Sequence, residues 1–128
     1  ETVNLTSLFT CQGAVDDVLE HRRLESDLIQ QIENADRLFD RAPLTGWQPL
    51  LPANELRTGI CLLTPTSSAA SQASPCEVRE SFHHTGIALS AYRRGLVRLS
   101  MPSSAWTDAQ LDHLSTAMST SGQAYRNN

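Results

Sequence analysis

Residues 8–39 contain no proline, and their apolar side chains recur at steps of three and four. That spacing puts Leu28, Ile32, Ala35 and Phe39 on one stripe and Ala14, Val15, Val18 and Leu19 on another, as a helix does. One unbroken helix over this span is long for a globular domain, so Gly13 or the polar stretch 20–23 is read as a break. Pro43 ends the region. Within it, Asp16 and Asp17 suit a helix start, and Glu33 and Arg37 stand in the favourable i,i+4 order.

The remainder alternates between punctuation and short regular elements. Residues 44–56 are broken by Gly46, Pro49 and Pro52 around Trp47, Leu50 and Leu51, which predicts a short strand or an extended arm. Residues 59–64 form a continuous apolar run of buried-strand type. The Ser- and Ala-rich stretch 65–74 is expected to be a mobile loop. Ser74, Pro75 and Glu77 then spell a helix N-terminus, with a hydroxyl cap, proline at the first helical position and an acid reaching back. Val78 and Phe82 lie on one face of that helix, and Gly86 stops it. Thr107 and Gln110 make a second capping box, with Trp106 before the cap and Leu111, Leu114 and Met118 on the apolar face. Between the two helices, residues 87–92 and 96–101 read as alternating strands joined by a turn at Arg93, Arg94 and Gly95.

The expected fold is therefore α+β, with a long N-terminal helix or helix pair and a small, mostly antiparallel sheet of three or four strands. Helices cover one face of that sheet. The expected division is a helical lead-in at 1–43, a small α+β domain at 44–120 and a flexible tail at 121–128. No internal repeat is present.

At 128 residues, with 40% apolar and 19% charged side chains, the chain has the balance of one globular domain and not of a disordered segment. A formal net charge of −4 argues against nucleic acid or an anionic membrane as partner. The doublets Arg22-Arg23 and Arg93-Arg94 are too small to reverse this and read as solvated surface. No apolar run is long enough to span a bilayer. Cys11, Cys61 and Cys76 are odd in number and widely spaced, the pattern of reduced thiols in a cytoplasmic protein. The chain opens on Glu1, and the expectation is a piece of something longer.

Two features bear on chemistry. The chain has no lysine, since all ten basic residues are arginine, so it houses no mechanism that needs an ε-amino group. Along 96–101, alternation sets Val97, Leu99 and Met101 on one face and Arg98 and Ser100 on the other. A guanidinium in mid-strand beside a serine suits bidentate recognition of a carboxylate, although a solvated arginine on the open side of a half-covered sheet has the same pattern. His83 and His84 fall at a helix end, where they favour the dipole. Glu80 and His83 form an E-x-x-H pair with no second pair to complete a carboxylate-bridged metal site, and no zinc spacing occurs. Trp47 and Trp106 read as core or interface anchors.

Three stretches carry a family resemblance. They run from His84 through Gly86 and Ile87 to Ser90, from Gly95 through Arg98 and Ser100 to Pro102, and from Trp106 through Thr107, Asp108, Leu111 and Asp112 to Leu114. In order and spacing they resemble the end of class V aminotransferases, pyridoxal-phosphate enzymes that include cysteine desulfurases and kynureninases. The likeness covers roughly residues 59–118, and 13–18 is similar to the helix leading out of the cofactor domain. It implies that Arg98 binds the α-carboxylate of an amino-acid substrate. It also implies a homodimer, with pyridoxal phosphate held by an N-terminal cofactor domain against which the first helix and the Trp47 region pack. The family's cofactor-bound lysine, its pyridine-binding aspartate and its ring-stacking residue all lie upstream of the matching region. Glu1 stands where a glycine is expected before Thr2, so Thr2 is given no phosphate-binding role. The chain alone is accordingly expected to bind no pyridoxal phosphate. The alternative reading is a stand-alone, non-catalytic α+β ligand-binding or oligomerisation module, which would bury the apolar stripe of its first helix internally or in a symmetric dimer.

Overall fold

A computed structural model describes residues 5–21, 24–53 and 56–124. The architecture is α+β, with five helices and one antiparallel sheet of four strands among the described residues. Helix α1 spans Leu5–His21 and α2 spans Leu24–Arg41, so the N-terminal region is a helix pair, and the Arg22-Arg23 doublet lies outside the described residues. A 3-10 turn, Ala42–Thr45, leads through Gly46 in the left-handed region (φ 86°) into β1, Trp47–Pro49. Strand β2 is Ile60–Pro65, and the helices α3 (Ser68–Gln72) and α4 (Pro75–His83) follow it. The hairpin strands β3 (Ser90–Ala91) and β4 (Val97–Ser100) precede the last helix, α5 (Asp108–Ala124).

The strands lie in the order β1-β2-β4-β3. Cys61 pairs with Leu99 and Leu63 with Val97, so the pleat gathers these four side chains with Trp47 on one buried face. Ala35, Leu38 and Phe39 of α2, Val78 and Phe82 of α4, and Leu114 and Met118 of α5 complete the core. Trp47 anchors it. Its ring meets Phe82 at 5.3 Å between centroids and its Nε1 donates to the Met118 carbonyl at 3.0 Å, which satisfies the fully buried indole. The tryptophan expected to pack on a neighbouring domain is thus sealed inside this chain.

Helix α2 fastens the core by polar contacts as well. Asn34 is fully buried. Its Nδ2 donates to the carbonyls of Pro102 and Ser104, at 2.9 and 2.8 Å, while its Oδ1 accepts from the Trp106 amide and from Gln30. One turn on, Arg37 donates to the Trp106 carbonyl and pairs with Asp108 at 2.7 Å, and Arg41 pairs with Asp112. Residues 34, 37 and 41 form a polar stripe at helical spacing that holds the loop before α5 and the first turn of that helix. Arg37 therefore reaches across to α5, where the sequence pattern paired it with Glu33. At the other edge Arg57 pairs with Asp36 and lies 5.6 Å from the Phe39 ring centroid.

Both capping boxes form. Ser74 accepts from the Glu77 amide and Glu77 accepts from the Ser74 amide; hydrogen bonds from Ser74 hold the Glu77 carboxyl below its ordinary range. Thr107 and Gln110 do the same for α5. Several expectations are corrected. The supposed loop at 65–74 contains α3, because Ala70 is buried and its carbonyl would lie 2.7 Å from a Cβ at Gly95, a close approach that needs glycine there. The strand expected over 87–92 is two residues long. Leu28 is exposed, so the buried stripe of α2 starts at Asn34 and runs on to Ala42 in the turn that follows. Helix α5 continues to Ala124 with Ser121 buried, so helix occupies the first part of the expected tail.

Removing the Asn34 side chain leaves two carbonyls and one amide without their partner. N34A is expected to cost about 2–3 kcal/mol of stability. N34D fails too, because a carboxylate accepts from Trp106 and donates nothing to Pro102 and Ser104. Urea unfolding of the two variants checks this, and an unchanged midpoint in both would contradict it.

Candidate functional site

Strand β4 has a neighbour on each side, and its burial alternates residue by residue. Val97 and Leu99 point into the core, while Arg98 is half-buried and Ser100 exposed on the opposite face. Arg98 stands across from Leu62 on β2 and from Ser90 on β3. By this register Leu62 and Ser90 are its cross-strand neighbours, and Ser100 follows it on the same face of β4. Among the described residues no carboxylate pairs with Arg98 and no acceptor bonds to it. A guanidinium so placed has its planar fork of donors available for a planar anion.

The hairpin turn fixes this placement. Arg94 adopts φ 62° and ψ 27°, and Gly95 follows at φ 70°. These two left-handed residues reverse the chain within the loop 93–95, which the Tyr92 amide closes on the Leu96 carbonyl, and the turn sets the Ser90–Arg98 register. Arg93 and Arg94 are exposed on it, as expected of solvated surface.

A concavity lies at the far end of β4, a cleft of about 480 Å3. Its apolar floor includes Leu99, Met101 and Leu114, and its rim includes Trp106, Gln110 and His113. The His113 Nε2 lies 3.0 Å from the Thr85 carbonyl, which ties α5 to the turn after α4. Arg98 is absent from the lining, so the structure does not bring the arginine and the cleft into one site. The sequence singled out Trp106 but neither the cleft nor His113, because the walls come from three segments that only the folded chain brings together.

The remaining candidates separate. His83 ends α4 and His84 caps it; both are exposed. Among the described residues no group of three or more His, Cys, Asp or Glu side chains comes close enough to hold a metal ion. No helix among them is long and apolar enough to cross a membrane. Cys11 and Cys76 are exposed thiols, whereas Cys61 is buried beneath the sheet. Burial, aided by the nearby Asp36 carboxylate and opposed by Arg57, pushes the Cys61 thiol from 9.0 up to about 12. It is a packing group and not a nucleophile.

Compared with protein-family models, with curated proteins and with solved structures, the chain matches none.

The raised Cys61 pKa has a definite sign. Between about pH 9 and pH 12 the unfolded chain has lost a proton that the folded chain keeps, so stability present below pH 9 falls as the pH rises through this window. Urea midpoints at pH 8 and pH 10.5 for wild type and C61A measure it, with the wild type expected to lose more stability. Parallel losses in the two proteins would contradict the assignment.

Proposed function

We propose that this chain is the C-terminal small domain of a pyridoxal-phosphate-dependent enzyme acting on an amino acid, in which Arg98 binds the substrate carboxylate. The observation that carries the reading is a mid-strand guanidinium on the less buried face of the sheet, flanked by Ser90 and Ser100 and without an acidic partner among the described residues. The order of motifs around it, from the Gly86 turn to the capped helix at Thr107, is the order the aminotransferase resemblance implies.

Helix α1 also supports a neighbour. Among the described residues none of the larger packings between elements involves it, and Phe9, Val15 and Leu19 remain exposed, Phe9 at 66% of its surface. A row of this kind on a chain with a well-filled core is the mark of a contact surface. In this reading a cofactor domain of the same protein covers α1, and a second subunit completes the dimer.

The chain's own residues do not fit the cofactor. It has no lysine, and the residues that hold the pyridine ring belong to the other domain. Bound there, pyridoxal phosphate supplies the electron sink. What this chain contributes is orientation: two parallel N–H donors on Arg98 fix the carboxylate plane, and with it the bonds around the substrate α-carbon.

In the complete enzyme R98A is expected to lower kcat/KM about 10- to 100-fold, the equivalent of one charge-assisted pair. R98K recovers only part, since an ammonium lacks the planar fork. Added pyridoxal phosphate is expected to leave the isolated chain colourless. Unchanged kcat/KM in R98A, or a yellow, cofactor-loaded chain, would overturn the reading.

A further inference from the structure

The β3–β4 ladder stops one step early, and the cleft opens where the next step would be. The Met101 amide donates to the Gly59 carbonyl at 2.7 Å, so the odd-numbered main-chain groups of β4 face β2 and the even-numbered ones face β3. On the β3 side, the Tyr92 amide donates to the Leu96 carbonyl at 2.8 Å, and Ser90 pairs with Arg98. Continuing by two residues, the next hydrogen-bonded pair in this register is Ala88 with Ser100. It does not form. Among the described residues, the amide and carbonyl of Ser100 and those of Ala88 have no hydrogen-bond partner, and both residues line the cleft.

The reason lies upstream. The Ile87 amide is committed to the Phe82 carbonyl, and the Thr85 carbonyl lies in contact with His113 Nε2. These two contacts hold 85–87 against the helical layer and away from β4. The edge of β4 at Ser100 is thereby left bare, next to an apolar floor. A bare strand edge beside such a floor has the complementarity of a β-strand addition site, in which main-chain bonds give affinity and pockets take alternate side chains.

We infer that the cleft binds a short extended peptide segment, which pairs through one residue with the amide and carbonyl of Ser100 and sets apolar side chains on either side of that residue into the floor formed by Leu99, Met101 and Leu114. The alternation of β4 dictates the pattern. A residue opposite Ser100 directs its side chain to the outer face, and its two neighbours direct theirs to the Leu99 and Met101 face. The preferred ligand is thus apolar–small–apolar in sequence. The volume of about 480 Å3 lies within the range of sites that hold small ligands. Trp106 and His113 supply aromatic walls with polar tips at the rim. The inference stands apart from the enzyme reading, since neither Arg98 nor the cofactor enters it.

The test uses the isotopically labelled chain and the blocked peptide acetyl-leucyl-alanyl-leucinamide, with an analogue methylated on the alanine nitrogen. The Ser100 amide signal is expected to shift saturably with a dissociation constant of about 1 mM or tighter, and its hydrogen exchange is expected to slow. Methylation removes the donor to the Ser100 carbonyl and is expected to weaken binding at least about tenfold, the equivalent of one hydrogen bond. A109W, placed on the exposed wall of the cleft, is expected to abolish the shifts while the circular dichroism stays that of the wild type. Were A109W to misfold, the methylated analogue would still decide the matter. Absence of any Ser100 shift, or equal binding of the two peptides, would overturn the inference.

Discussion

The fold depends on one side chain that belongs to neither the apolar pattern nor a charged surface. Asn34 is buried within the apolar stripe of α2, and all of its hydrogen-bonding atoms are engaged, three of those bonds running to the main chain between Pro102 and Trp106. A buried amide is tolerated only when satisfied, so it specifies one path for the chain that leaves β4. That path decides where α5 begins, where Trp106 sits and which faces of α5 reach the core. Arg37 and Arg41 continue the fastening on the outside, where each ion pair alone contributes little.

With α5 held in this way, the sheet has one face filled by Trp47, Phe82, Leu63 and their neighbours and one face left to other uses. The two functional readings follow from the same pleat. Period-two alternation turns Arg98 away from the core, and the same alternation turns the main-chain groups of Ser100 toward the gap beside β3. Side chains thus favour an anion on one face, and the backbone favours an extended segment at the edge. Helix α1 adds a third surface, on which Phe9, Val15 and Leu19 stand exposed.

What the sequence discloses is governed by range. Capping at Ser74 and Thr107, the turn at Arg94 and Gly95, and the buried face of β4 are local, and each is legible from a few neighbouring residues. The direction of Arg98 is legible for the same reason. The helix at Ser68–Gln72 is not, because its burial rests on a close approach of Ala70 to Gly95, far along the chain. The shortness of β3 goes with two contacts of the segment before it, the Ile87 amide on the Phe82 carbonyl and the more distant His113 on Thr85. Asn34 left a trace, a polar residue at spacing four from Leu38 inside an apolar stripe, but its main-chain partners, Pro102, Ser104 and Trp106, lie far along the chain. The cleft is similarly hidden, since its walls come from the turn after α4, the end of β4 and the first turns of α5.

The central claim is that Arg98 faces outward to receive a carboxylate from beyond this chain. A crystal structure of the complete protein with a bound amino-acid analogue tests it most directly. The account predicts two parallel N–H···O contacts from the Arg98 guanidinium to the ligand's carboxylate, with Ser90 and Ser100 at its sides. A carboxylate held elsewhere, or Arg98 paired with an acid of its own protein, would contradict it.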